Sequence, residues 1–243
     1  MVRECYICMR KLIFSYFIMS SLKRKLITTA DGSHTIYVSE WDEHYHSVNG
    51  AIQESMHVYI DAGLNQCSLP SISILEIGFG TGLNALLSYI EAGKRGINVQ
   101  YTGLEKYPLP VEVYSQLNYP VRMPETPTSV DSLFQQIHTA PWNERVELAS
   151  FFVMTKVETD ICACTLSDKY DVVYYDAFAP DKQPDVWSQP IFDKLFAAMN
   201  PGGILTTYCA KGEVRRMLQR AGFDVERIPG PPGKRQMLRA GKR

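Results

Sequence analysis

Ser71-Ile-Ser-Ile-Leu-Glu-Ile-Gly-Phe-Gly-Thr-Gly82, continued by Leu83-Asn-Ala-Leu-Leu-Ser-Tyr-Ile90, is the stretch that decides the fold. Residues 71–77 are a short apolar run of the length and composition of a buried strand. Glycines at 78, 80 and 82 break it, and Leu83, Leu86, Leu87 and Ile90 then recur at the spacing of one helix face. Gly93 predicts the end of that helix. The turn between strand and helix needs glycine because positive φ is then free of a Cβ clash and the backbone can approach a ligand closely. A dinucleotide fingerprint, G-x-G-x-x-G, would require glycine at position 83, where the chain has Leu83, so the loop argues against NAD.

Outward from this unit, strands and helices alternate. Asn98–Leu104 is a second strand, and a helical segment starts near Pro110. A third strand lies within Val146–Lys156, and Tyr170–Tyr175 is a fourth. Ser188 with Pro190 predicts a helix start, its apolar stripe ending at Asn200-Pro-Gly-Gly203. Gly203–Cys209 reads as a fifth strand and Glu213–Ala221 as a basic helix closed by Gly222. Val225–Ile228 and Gln236–Ala240 make a closing antiparallel hairpin. On the amino side, Thr35–Val38 has strand character, and residues 49–63 carry Ile52, Met56, Tyr59 and Ile60 about one turn apart. The expected fold is α/β, a mainly parallel doubly wound sheet with a C-terminal antiparallel hairpin. Such sheets bind ligands at the carboxyl ends of their strands.

The 243 residues, 45% apolar and 21% charged, suit one large core and exclude collagen-like, disordered and disulfide-dense classes. The division expected is an N-terminal extension over residues 1–34, with translation from Met19 as an alternative start, and one domain over 35–243. The apolar stretch Leu12–Met19 is far shorter than the roughly 20 residues that span a bilayer, so no membrane association is expected. Six cysteines without framework spacing suit a reducing compartment, and Cys5, Cys8, Cys162 and Cys164 make no zinc pattern; no metal is expected. A net charge of −1 conceals an asymmetry: residues 1–25 hold six lysines and arginines against one acid, and residues 211–243 hold ten against three. A basic tail on an acidic body is a candidate phosphate-binding surface. Lys211, Arg215, Arg216, Lys234 and Arg235 are its contact candidates, although Arg215 and Arg216 point about 100° apart on a helix, so one of them faces away.

Two acids complete the pattern. Glu105 ends the second strand, where a carboxylate can accept hydrogen bonds from both hydroxyls of a ribose. Asp176 ends the fourth strand and faces the same crevice as the glycine loop, the position of a substrate-handling group. Tyr174, Tyr175 and Phe178 are candidates to stack on a base, with strand alternation sending at least one tyrosine to the core; Trp187 reads as packing.

The loop spacing with its leading acid, Glu76-Ile-Gly-Phe-Gly-Thr-Gly82, resembles the first motif of Rossmann-like S-adenosylmethionine-dependent methyltransferases. More narrowly, Gly78–Asn84, Glu105-Lys-Tyr-Pro108, Asp176-Ala-Phe-Ala-Pro180, Pro184–Phe192, Val214-Arg-Arg216, Ala221-Gly-Phe223 and Gly233–Leu238 resemble, in order, the methyltransferase domain of the MnmC family, from about Tyr37 to Ala240. The resemblance implies conversion of the 5-aminomethyl group of a wobble (2-thio)uridine in tRNA to 5-methylaminomethyl, in the cytoplasm. It implies Asp176 as the active-site residue and Glu76, Gly78, Gly80, Gly82 and Glu105 as the S-adenosylmethionine site. An adenine-contacting acid is sought after strand three, with Glu158 and Asp160 as the candidates. The tRNA anticodon arm is the expected partner of Lys211, Arg215, Lys234 and Arg235. The chain ends at Arg243 without the oxidase half of the bifunctional family members, so separate enzymes are expected to supply the aminomethyl substrate. Two rival readings are a spermidine-synthase-like aminopropyltransferase and a non-catalytic RNA-binding protein of the same fold.

Overall fold

A computed structural model describes residues 23–123 and 130–243 of the chain. Its centre is an eight-stranded sheet. Strands β1 (Arg24–Thr28), β2 (His34–Val38) and β3 (Glu43–His44) form a small antiparallel sheet apart from it. The large sheet contains β4 (Ser71–Ile77), β5 (Asn98–Glu105), β6 (Arg145–Ala149), β7 (Phe152–Glu158), β8 (Tyr170–Tyr175), β9 (Met199–Thr207), β10 (Asp224–Pro229) and β11 (Gln236–Gly241). Their order is β10-β11-β9-β8-β4-β5-β7-β6. The run β9-β8-β4-β5-β7 is parallel, while β6 and β11 join it antiparallel and β10 pairs antiparallel with β11.

Side chains alternate across the sheet and divide the core in two. Ile72 and Ile74 of β4 and Val172 and Tyr174 of β8 pack with the first core cluster; Leu75 and Ile77, Val173 and Tyr175 belong to the second. The first face is covered by a helix that runs as α1 (Ala51–Ser55) into π-helical Met56–Asp61, by α2 (Leu83–Arg95) and by α4 (Val130–Thr139). The short α3 (Val111–Tyr114) lies between β5 and α4 in the chain. The second face is covered by α5 (Gln189–Ala198) and α6 (Gly212–Ala221). Chain direction across the sheet reverses at β4, flanked by β5 and β8, and a crevice opens at the carboxyl ends of those strands.

The structure differs from the sequence reading at several points, among them β9, read as Gly203–Cys209 but running Met199–Thr207. Helix α2 continues through Gly93 and stops at Gly96, which adopts φ 64 and whose N–H reaches back to the Ala92 carbonyl. The single third strand expected within Val146–Lys156 is an antiparallel pair, β6 and β7, folded at Ser150-Phe151 with a register shift between Glu147 and Ala149. Ser188 precedes α5 in an extended conformation, as a cap does, but its side chain makes no capping hydrogen bond. Strand β1 pairs with β2 from Arg24↔Val38 to Thr28↔His34, so the boundary expected at 34/35 falls inside a hairpin packed on the domain. Met19, Cys5 and Cys8 lie outside the described residues.

One buried cation props the glycine loop from beneath. Lys156 of β7 is 1% exposed, and its Nζ donates to the His138 carbonyl at 2.6 Å, near the C-terminus of α4 where carbonyls lack partners. It also lies 4.7 Å from the Trp142 ring and 5.8 Å from that of Phe79 in the loop. Burial lowers its pKa from 10.5 to about 8. Between those values the unfolded chain binds a proton that the folded chain has released, so stability rises with pH. The unfolding midpoint of the wild type relative to Lys156→Met is therefore expected to climb from pH 8 toward 10.5; a pH-independent difference between the two melting curves would contradict this.

Candidate functional site

The strand tips are in register. Ile77 pairs with Leu104 and with Tyr175, and Glu105 pairs with Glu158, so the residues that follow these strands emerge side by side. Around them lies a cavity of about 450 Å³, within the range of small-molecule sites. Its wall includes Gly78, Gly80, Asn84, Glu105, Asp160 and Asp176.

Gly78 has φ +91, and a Cβ there would stand 2.6 Å from the carbonyl oxygen of Asp176, so loop and strand tip touch only because the side chain is absent. Gly80, at φ +50, directs its N–H to Glu105 Oε2 at 2.9 Å, while Tyr107 N–H donates to Oε1 at 2.8 Å. Glu105 thus fastens the glycine loop to the tip of β5. Burial raises its pKa, with the backbone donors opposing. A carboxylate has about four acceptor positions, so capacity remains for a ligand hydroxyl.

Asp176 receives two hydrogen bonds from neutral donors, Tyr59 Oη on Oδ1 at 2.6 Å and Asn84 Nδ2 on Oδ2 at 2.9 Å. Desolvation pushes its pKa up to about 7 against the pull of these donors. Tyr59 comes from the π-helical turn, and Asn84 from the first turn of α2. Local π geometry often marks functional sites.

Glu76 and Gly82 lie behind the wall. Glu76 is 1% exposed, accepting from Asn84 Nδ2 at 2.8 Å and Tyr101 Oη at 2.6 Å, so its carboxyl is committed within the protein instead of facing the cavity. Gly82, with φ +70, shapes the turn, and a Cβ there would meet His138 Nε2 at 3.1 Å. Of the two candidate acids, Glu158 ends β7 and does not line the wall, whereas Asp160, just beyond it, does, paired with Lys106 at 2.9 Å and accepting from Cys162 N–H at 2.8 Å.

The basic candidates separate. Lys211 pairs with Asp181 at 2.7 Å on the exposed surface, and Arg235 is exposed. Arg215 is half-buried and Arg216 exposed. Lys234 sits in the cavity wall, 2.7 Å from buried Glu54 and 3.9 Å over the Tyr208 ring, because burial of Glu54 demands a cation beside it. Tyr174 and Tyr175 are both fully buried, on opposite faces, whereas Phe178 lines the cavity. Phe178 meets Tyr45 and Trp41 edge to face at 4.9 and 5.2 Å, making an aromatic rim. Trp187 packs in the core and donates to the Phe178 carbonyl at 2.7 Å.

The sequence reading did not single out Tyr59, Glu54, Trp41 or Tyr45 as site residues. For Asn84 a signal existed, a polar residue on the apolar face of α2 immediately after the loop. Among the described residues no cluster of three or more His, Cys, Asp and Glu is arranged to hold a metal ion, and no helix is long and apolar enough to cross a membrane.

A family model described as S-adenosyl-L-methionine-dependent methyltransferase matches residues 125–243. The chain is 31% identical over 224 residues to the tRNA 5-methylaminomethyl-2-thiouridine biosynthesis bifunctional protein MnmC of Ectopseudomonas mendocina (strain ymp), across 82% of this chain and 34% of that protein. It is 32% identical over 219 residues to the protein of the same name from Azoarcus sp. (strain BH72), across 84% of this chain and 34% of that protein. The chain thus spans about a third of the length of the curated relatives it matches. The crystal structure of MNMC2 from Aquifex aeolicus superposes with a TM-score of 0.74 at 23% identity, covering 97% of this chain and 76% of that one, a likeness of fold.

The loop geometry generates one prediction. Gly78→Ala forces a side chain into positive φ and against the Asp176 carbonyl, costing at least about 1–2 kcal/mol. For a chain of this size that lowers the unfolding midpoint by about 2–8 °C. A calorimetric midpoint equal to that of the wild type would refute the close approach.

Proposed function

We propose, from the premise that this chain is an MnmC-like relative with the fold of S-adenosylmethionine-dependent methyltransferases, that it N-methylates the 5-aminomethyl group of a wobble (2-thio)uridine in tRNA. The observation that carries the reading is Asp176, held by Tyr59 and Asn84 in the wall that also contains Gly78, Gly80 and Glu105. The wall suits S-adenosylmethionine: side-chain-free backbone at Gly78 and Gly80, a carboxylate with acceptor capacity at Glu105, and Asp160 on the same wall. That cofactor supplies an electrophilic methyl carbon on a sulfonium. The residues that would hold it are Gly78, Gly80, Glu105 and Asp160, with Glu76 and Gly82 acting from behind.

The chemistry left to the protein concerns an amine. A primary alkyl amine has a pKa near that of lysine, about 10, and arrives as an ammonium ion without a lone pair. Asp176 accepts a hydrogen bond from this ammonium and orients its nitrogen. Because its pKa is about 7, far above that of an ordinary aspartate, Asp176 is also a stronger base and can receive the proton that frees the lone pair. With its lone pair freed, the nitrogen held by Asp176 would be placed to take the methyl group that S-adenosylmethionine would supply. In-line placement of the amine is the main contribution the pocket makes. The rim of Trp41, Tyr45 and Phe178 suits an unstacked pyrimidine, and Arg215 and Arg235 suit the flanking phosphates. The reaction is assigned to the cytoplasm, where tRNA is modified.

The direct test incubates the protein and S-adenosylmethionine with tRNA from cells lacking this modification, followed by mass spectrometry of the digested nucleosides. Appearance of the methylated nucleoside supports the reading, and its absence with cofactor bound rejects it. Asp176→Ala is expected to lower kcat by about 100-fold. Its cofactor affinity by calorimetry should stay within about threefold, because Asp176 acts on the amine. In the wild type, turnover should fall as pH drops through about 7, where Asp176 gains its proton, and a rate flat from pH 8 to pH 6 would remove it as the base. Arg235→Glu should weaken tRNA binding and flatten its salt dependence by about one unit of slope.

A further inference from the structure

Asn84 has one side-chain amide nitrogen, and its two hydrogens go to two different acids: Glu76 Oε1 at 2.8 Å and Asp176 Oδ2 at 2.9 Å. Its own carbonyl oxygen, Oδ1, is buried without a partner among the described residues. An arrangement that leaves one acceptor unmatched in order to set both hydrogens on carboxyls fixes the amide's orientation, since rotating it would turn the oxygen against those acids. Glu76 lies at the inner end of this bridge. It is 1% exposed, and its other oxygen meets Tyr101 Oη at 2.6 Å. The titratable groups facing it are Tyr101 and Glu105 on β5 and Asp176 and Tyr174 on β8, and among the described residues no cation forms an ion pair with it.

Two ionised carboxylates sharing one amide in such surroundings repel each other, and an unpaired buried charge is costly, so one of them holds a proton. Asp176 opens onto the cavity, whereas Glu76 does not. We propose that Glu76 is a positioning residue: as a neutral carboxylic acid it holds the Asn84 amide against Asp176 and leaves Asp176 as the carboxylate that faces the amine. This rests on the role of Asp176 given above. The neutral acid keeps both contacts, Oε1 accepting the Asn84 N–H and Oε2 staying within hydrogen-bond reach of Tyr101 Oη. Desolvation agrees with the division of charge, raising Glu76 well above the usual carboxylate range and Asp176 only to about 7.

Glutamine reproduces a neutral acid in shape and polarity, and alanine removes it. Glu76→Ala is expected to lower kcat at least tenfold with the KM for S-adenosylmethionine within about threefold, and Glu76→Gln should recover kcat to within about threefold of the wild type. In Glu76→Gln the acid limb of the pH–rate profile should stay in place, because no charge has been removed beside Asp176; a downward move of one pH unit or more would mean that Glu76 is ionised and would overturn the proposal. A tenfold loss of affinity for the cofactor alone in Glu76→Gln would also overturn it, since that is the mark of an ionised contact to the ligand. Infrared difference spectroscopy needs no RNA: the wild type at neutral pH should show a protonated-carboxyl stretch that Glu76→Gln lacks, and identical spectra would reject the assignment. If that band behaves as expected but tRNA is not methylated, the role of Glu76 as a neutral acid is supported and the substrate reading is what fails.

Discussion

A single amide group organises this crevice. Asn84 Nδ2 joins Glu76, the penultimate residue of β4, to Asp176 at the tip of β8, and Asn84 itself stands in the first turn of α2. Strand, helix and neighbouring strand are therefore locked at one point, and the glycine loop spans the gap between them. On the other side of β4, Glu105 completes the frame by accepting the Gly80 N–H. The loop is held by backbone hydrogen bonds to a carboxylate on one flank and close contact with the Asp176 carbonyl on the other. The second contact does not tolerate a side chain at Gly78, so the glycine requirement there follows from packing as much as from any ligand.

The legible parts of this fold are those where period and punctuation coincide. Ser71–Ile77 and Tyr170–Tyr175 have the predicted bounds because each is a continuous apolar run whose two faces both enter the core, and each ends in a sharp break, at Gly78 and Asp176. The β6–β7 hairpin was not legible because Ser150-Phe151 offers neither Gly nor Pro at the turn, so two strands read as one. The choice between Gly93 and Gly96 as a helix stop depends on tertiary packing. Gly93 faces the Phe151 ring within an unbroken helix, while Gly96 alone takes positive φ.

At the site, Glu105 and Asp176 were legible because their positions follow from strand ends. Tyr59 was not, for a specific reason: its spacing with Ile52 and Met56 marks a core face, and it is a core residue, 1% exposed. Only its hydroxyl reaches Asp176, through a π-helical turn that a 3.6-residue period does not contain. Lys234 shows the opposite limit. Its place in a basic tail suggested an outward-facing charge, but the buried Glu54 on α1, 180 positions earlier in the chain, draws it into the cavity wall.

That displacement shapes the electrostatics of the whole pocket. Lys106 neutralises Asp160 on one part of the wall, and Lys234 neutralises Glu54 on another. Asp176 shares that wall, with a phenol and an amide as its hydrogen-bond donors. Neutral donors keep a carboxylate oriented without cancelling its charge, and the low-polarity wall strengthens its attraction for a cation that enters. Glu105 and Glu43 line the same wall without an ion pair among the described residues, so what sets Asp176 apart is its two neutral donors and a pKa raised to about 7. On the proposed function, that combination suits a protonated amine better than an anionic group.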